Sequence, residues 1–198
     1  HSHIGDFREW SLLADSIDLI ITDPPYEKKY SYLYDALGLF AYEHLKEGGS
    51  LIVLCGHYQL PLAIEALQNW LKYRWTFCLW QGDDSHARMA MGIEVMWKPA
   101  LWFVKGSYPN GRGFIKDGLV SPSKQKGQHK WEQNAEFYRF FIEKLCPPGG
   151  TVCDPMAGSF QVVPIASGMG RDVYACDLVA GVPVEWIANV PIEQIRGG

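Results

Sequence analysis

The sequence predicts an α/β fold with a largely parallel sheet, on three observations. Short apolar runs end on turn residues, the pattern of strands buried on both faces. Apolar residues at helical spacing fill the intervals between those runs. Glycine and proline clusters then mark each change of period. A length of 198 residues fits one domain, and 47% hydrophobic with 20% charged residues describes a chain able to bury a substantial core.

After a short N-terminal strand, Asp18-Leu19-Ile20-Ile21-Thr22 is an apolar run halted by a turn signal, as a buried parallel strand would be. Leu33, Leu37, Phe40, Ala41 and Leu45 then recur at helical spacing, and Gly48-Gly49 ends the pattern. Leu51 to Cys55 is the next strand, followed by a helix near Leu60 to Leu71 and a strand near Trp75 to Trp80. Leu101 to Val104 makes a further strand, whose short link to what precedes it permits a hairpin at one sheet edge. Residues 106–130 combine glycines and prolines with lysines, show little periodicity, and read as a long functional loop. A helix from about Glu132 to Leu145 turns Phe137, Phe140, Phe141 and Leu145 inward and stops at Pro147-Pro148-Gly149-Gly150. A strand to Cys153, a turn and helix from Gly158 to about Gly168, a strand to Cys176 and a weak helix near Val184 to Val190 complete the chain.

Composition narrows the function classes. Cys55, Cys78, Cys146, Cys153 and Cys176 are scattered and odd in number, which predicts buried thiols and neither a disulfide framework nor a metal site. No apolar stretch approaches the roughly 20 residues that span a bilayer and no basic-then-apolar leader opens the chain, so a cytoplasmic protein is expected. The opening His1-Ser2-His3 reads as a tag remnant or a trimmed start. Net charge is −4, but it is unevenly placed. Between Lys98 and Lys130 seven cations face Asp117 alone, giving +6 and leaving −10 for the rest. A basic segment on an acidic body can supply local phosphate contacts through Lys116, Lys124 and Lys126; the competing reading is a solvated lysine-rich loop.

Two constellations carry chemistry. Asp23-Pro24-Pro25-Tyr26 leaves the carboxyl end of a strand, where parallel sheets bind ligands, and two prolines stiffen it and remove two backbone donors. It offers a carboxylate, free carbonyl acceptors and an aromatic face. An exocyclic amine is a poor nucleophile, since its lone pair is delocalised into the ring. Asp23 and the Pro24 carbonyl, accepting one amino hydrogen each, would turn that nitrogen towards an electrophilic methyl while Tyr26 stacks on the base. Asp154-Pro155-Met156-Ala157-Gly158-Ser159 runs from strand through tight turn to helix start, a cradle suited to a carboxylate. Asp177 closes the next strand, where an acid in such folds grips ribose hydroxyls. The eight tryptophans, among them Trp75, Trp80, Trp97 and Trp102, read as core more readily than as base-stacking groups.

The first motif resembles the catalytic motif of the DNA amino-methyltransferases, which methylate N6 of adenine or N4 of cytosine, and its leading aspartate resembles the adenine form. The second is similar to that family's cofactor motif, with Phe160 standing where the family usually has glycine. Two looser matches sit where the family implies them. Gly5-Asp6-Phe7 resembles the element that binds the cofactor adenine, and Trp131 and Gln133 lie in a segment like the one that holds its methionine end. The order, catalytic loop before basic loop before cofactor motif, resembles the permuted class of bacterial and phage enzymes.

That resemblance implies a seven-stranded, mostly parallel Rossmann-like sheet over residues 1–198, one catalytic domain in which residues 106–130 stand in place of a large target-recognition region. It implies S-adenosyl-L-methionine as cofactor, no metal, DNA as partner, and a separate specificity chain or a homodimer as further partners. The expected reaction is methyl transfer to adenine N6 of a flipped base. The rivals are cytosine N4 as target, an RNA substrate or a protein amide for the same fold, and an inactive cofactor- and DNA-binding subunit.

Overall fold

Alternation of apolar and turn residues along the chain produces the expected α/β order in the computed structural model, which describes residues 1–80, 87–88, 92–109, 113–120 and 130–178, with backbone alone for 87–88 and 130–134. The strands are β1 (Ser2–Ile4), β2 (Ile17–Thr22), β3 (Leu45–Leu54), β4 (Lys72–Trp80), β5 (Ala87–Arg88), β6 (Glu94–Val95), β7 (Trp97–Val104), β8 (Gly118–Val120), β9 (Thr151–Asp154) and β10 (Asp172–Asp177). The helices are α1 (Leu33–His44), α2 (Leu60–Gln68), α3 (Lys130–Leu145) and α4 (Val162–Gly168).

The main sheet runs β1-β10-β9-β2-β3-β7-β4-β8, and β5 pairs with β6 in a separate two-stranded ribbon. Within the main sheet, among the described residues, β7 is antiparallel to its neighbours β3 and β4 and the other pairings are parallel, while β5 and β6 pair antiparallel. Both faces are covered. Leu19, Ile21, Ile52 and Trp102 pack with Phe137, Phe141, Val162 and Ala166 of α3 and α4. Ile20, Leu51, Val53 and Leu101 pack with Leu37, Ala41, Ala63 and Leu67 of α1 and α2. The central pair β2 and β9 is where the chain winds outward in both directions, with α1 on one face and α4 on the other, so a crevice forms at their carboxyl ends.

Four details depart from the sequence reading. The main sheet has eight strands rather than seven, because Gly118–Val120, inside the segment read as a continuous loop, pairs parallel with Cys78–Trp80. Helix α1 stops one residue earlier, since Leu45 already has extended backbone (φ −68°, ψ 139°), and β3 runs through Gly48 and Gly49 as a bulge. Residues Gly158–Gln161 form turns, so α4 starts only at Val162. Trp75 and Trp80 are exposed, because they lie near the outer edge of the sheet, while Trp102 is buried as expected. Four of the five cysteines are buried and Cys78 is partly so; all are free thiols. The helix read near Val184 to Val190 lies outside the described residues. Among the described residues no helix is long and apolar enough to cross a membrane.

Candidate active site

Strand β2 ends at Thr22, and the prolines that follow prevent it from continuing, so Asp23 emerges at the carboxyl edge of the sheet. Pro24 is buried while Pro25 and Tyr26 are exposed. The loop is tied down from the turn after β3. Gln59 donates Nε2 to the Tyr26 carbonyl at 2.8 Å, and its Oε1 accepts from Tyr34 Oη at 3.3 Å and from the Gly56 amide at 3.4 Å. Asp23 is held on both oxygens: Oδ1 accepts from the Tyr26 hydroxyl and Oδ2 from Lys98 Nζ at 2.8 Å. The same ammonium stands 4.5 Å from the centre of the Tyr26 ring. Burial, with Asp23 beside it, pushes the Tyr26 phenol up and keeps it protonated, although 42% of the residue's surface faces solvent.

The second motif leaves β9, the strand next to β2, at the same edge. Asp154 is fully buried, accepting from Tyr138 Oη at 2.9 Å and from the Met156 amide at 3.1 Å. Burial pushes its carboxyl up to about 7, against the pull of those hydrogen bonds. Pro155 is buried; Ala157 is buried too and bonds back to the Cys176 carbonyl at 2.8 Å. Gly158 is exposed in left-handed backbone (φ +54°), with open space where a side chain would stand. Its amide donates to Asp177 Oδ2 at 2.8 Å. Ser159 is half-buried and Phe160, also left-handed (φ +57°), is buried in the α3/α4 core.

The N-terminal element joins this group through β1, whose Ile4 pairs with Asp177. Asp6 caps the turn Phe7–Glu9 and is gripped by Arg8, whose guanidinium hydrogen bond is the main cause holding the Asp6 carboxyl below its usual range. Phe7 is buried edge-on against Phe40. Trp131 and Gln133 lie in the first turns of α3, where only backbone is described. Lys116 is exposed, bordering a cleft of about 570 Å³ lined by Arg74, Trp75, Trp102, Tyr108 and Phe114 and by no residue of the Asp23 loop. Lys124 and Lys126 lie outside the described residues. No group of three or more His, Cys, Asp and Glu that could hold a metal occurs among the described residues.

Sequence reasoning missed Lys98, Gln59 and Tyr138. In the sequence Lys98 is one cation of the basic segment, and its signal is that it stands alone within the apolar stretch Trp97 to Val104. Gln59 is a buried polar residue with no local motif, and the Tyr138 hydroxyl is hidden among the phenylalanines of α3.

No family model matches the chain, and no curated protein sequence matches it. Solved structures do. A Thermus thermophilus protein provisionally named as a DNA modification methylase, solved with S-adenosyl-L-methionine, is 16% identical, with 96% of this chain and 94% of that one aligned at a TM-score of 0.76. PvuII DNA methyltransferase, described as cytosine-N4-specific, gives 18% identity over 98% and 89% of the two chains and a TM-score of 0.72. M1.HpyAVI gives 16%, over 100% and 98%, at 0.69. The chain therefore has the Rossmann-like fold of the S-adenosylmethionine-dependent methyltransferases.

Proposed function

We propose that the protein is an S-adenosylmethionine-dependent DNA methyltransferase acting on an exocyclic amine, adenine N6 in the first place, with residues 1–198 forming one catalytic domain. One observation carries the reading. The Asp23-Pro24-Pro25-Tyr26 loop and the Asp154 to Ser159 loop leave adjacent parallel strands at the same sheet edge, although 131 positions separate Asp23 from Asp154. The names of the structural neighbours support DNA as the substrate, and PvuII methyltransferase supports cytosine N4 as the second reading. Asp23 in first position favours adenine.

The residues present fit the cofactor. Gly158 leaves its surroundings open for close approach, and carboxylates stand at the ends of three successive strands, β9, β10 and β1. Asp177 would hold ribose hydroxyls, Asp6 and Phe7 would border the adenine, and Trp131 and Gln133 would meet the methionine end. Asp154, Pro155, Ala157 and Ser159 shape the turn beneath. S-adenosyl-L-methionine, when bound, supplies an electrophilic methyl group. Asp23 and the Pro24 carbonyl accept the two amino hydrogens of a base taken out of the duplex, and Tyr26 stacks on its ring. Catalysis then rests on orientation, without a covalent nucleophile.

A labelled-methyl assay with duplex DNA, RNA and protein tests the class, and nucleoside analysis of the product separates N6-methyladenine from N4-methylcytosine. Label in DNA is expected; label only in RNA or protein, or none, overturns the reading. Asp23→Ala should lower the rate about 100-fold or more, the scale of losing an oriented catalytic hydrogen bond, while affinity for S-adenosylhomocysteine by calorimetry stays nearly unchanged. Stoichiometric DNA binding without turnover would point to an inactive subunit. Sequencing methylated DNA from expressing cells then identifies the site and whether a separate specificity chain or a homodimer is needed.

A further inference from the structure

Asp23 and Lys98 come from strand ends 75 residues apart and meet at the Tyr26 ring, with the ammonium over its face. At 2.8 Å they set a cationic donor next to an anionic acceptor. Neither is sealed: the side chains are 33% and 22% exposed. Nor is either saturated. An ammonium has three N–H donors and a carboxylate about four acceptor sites. Among the described residues Lys98 makes one hydrogen bond, to Asp23, and Asp23 accepts two, from Lys98 and Tyr26. A lysine placed in an apolar strand carries a desolvation cost, and the pairing with Asp23 offsets part of it. That pairing also leaves a donor and an acceptor side by side, with the ammonium 4.5 Å from the centre of the Tyr26 ring on which the proposed base would stack.

We propose that Lys98 is a positioning and specificity residue that reads, together with Asp23, the amidine edge of the target base. This rests on the reading of the site as an exocyclic-amine methyltransferase. Adenine and cytosine each carry an amino donor beside a ring-nitrogen acceptor, N6 with N1 and N4 with N3. The amine donates to Asp23 while the ring nitrogen accepts from Lys98. Thymine and guanine carry a carbonyl beside an N–H donor on the matching edge. Their oxygen would face the carboxylate and their N–H the ammonium, two repulsive contacts in place of two attractive ones. The pair therefore selects amino bases over keto bases, and it fixes the ring in its plane so that the amine nitrogen is presented in one orientation.

The test uses duplexes carrying the methylation site, with the target base either normal or replaced by its deaza analogue, 1-deazaadenine or 3-deazacytosine, which keeps the amine and lacks the ring acceptor. Wild type should prefer the normal base by about 10- to 100-fold, the range of one hydrogen bond to a charged group. Lys98→Met should lose that preference, and Lys98→Arg, which keeps a charged donor, should retain most of it. Where a variant turns over too slowly, affinities for the two duplexes with S-adenosylhomocysteine present give the same ratio, and unchanged affinity for that cofactor product shows that the fold is kept. Equal preference in wild type and Lys98→Met, or none in wild type, overturns the assignment. Failure of wild type to methylate any DNA has a different signature: it removes the proposed function, and this inference with it.

Discussion

At the scale of single residues, burial raises the pKa of both Asp154 and Tyr26, with different consequences. Asp154 is enclosed, and its carboxyl rises from 3.8 to about 7. Between those values the unfolded chain has released the proton while the folded chain keeps it. Folded stability therefore falls as pH rises through that window, by at most about 1.4 kcal/mol per pH unit from this group. Asp154→Asn cannot ionise and should remove the slope, gaining on wild type as pH rises. His44, whose pKa burial lowers, pulls the other way as pH falls, but it is common to both proteins and cancels in the difference. Urea unfolding of the two proteins between about pH 5 and 8 reads this directly, and a pH-independent difference would sink it. Tyr26 instead keeps 42% of its surface exposed. Tyr26→Phe keeps the ring and loses only the bond to Asp23, so it should retain more activity than Tyr26→Ala, which loses a stacking platform worth roughly 1 to 3 kcal/mol per base. A mismatched target costs less to extrude and should recover part of the alanine loss. Equal time courses for alanine and wild type on paired and mismatched duplexes would take Tyr26 out of the mechanism. At Phe160, left-handed backbone costs about 1 to 2 kcal/mol, but truncating a buried phenylalanine costs about 3 to 5, so burial outweighs the strain of a side chain at that φ.

Among the elements, legibility followed locality. The apolar runs that became β2, β3, β4 and β9 and the phenylalanine stripe of α3 are short-range patterns, and they were readable because burial on both faces leaves no polar alternation to confuse them. The Asp23 loop was readable for the same reason, since two prolines announce it within four residues. Strand β8 was not: three residues, two exposed and one half-buried, carry no readable pattern, and only pairing with β4, 40 positions away (Cys78 with Gly118), makes them a strand. Lys98 escaped on the same ground, its partner lying in the loop that follows another strand. The bulge in β3 illustrates the limit from the other side. Gly48-Gly49 reads as a helix stop, yet the helix has already ended, and the glycines serve strand packing. A Cβ on Gly49 would lie 2.8 Å from the Lys46 carbonyl and 3.2 Å from that of Ile17, both backbone atoms that cannot step aside. Gly49→Ala should therefore destabilise by about 1 to 3 kcal/mol, an overpacking cost. Gly158→Ala meets no neighbour and should lose only about 1 kcal/mol to its left-handed φ. Urea midpoints rank the two, and a Gly49→Ala no worse than Gly158→Ala would mean that the bulge relaxes.

On the scale of the whole molecule, charge is sorted along the chain, with −10 on the body and +6 between Lys98 and Lys130. A polyanion is repelled by the first and attracted by the second, and because charges more than about 10 Å apart are largely screened at 0.1 M salt, the local segment decides. Part of that basic complement is committed internally: Lys98 to Asp23 and Lys105 to Asp15. Lys116 is exposed, and Lys124 and Lys126 follow β8 in the chain. Neutralising Lys116, Lys124 and Lys126 together should weaken duplex binding and flatten its dependence on salt, by up to about 0.9 in log–log slope for each phosphate left without its cation. Affinity for S-adenosylhomocysteine should not change, since none of the three belongs to the proposed cofactor cradle. Neutralising Lys105 alone should leave the slope where it was, because its charge already answers Asp15. Fluorescence anisotropy across a salt series measures all of these. An unchanged slope in the triple variant would make the segment a solvated surface, and the phosphates of a bound duplex would then have to be met from elsewhere on an otherwise acidic molecule.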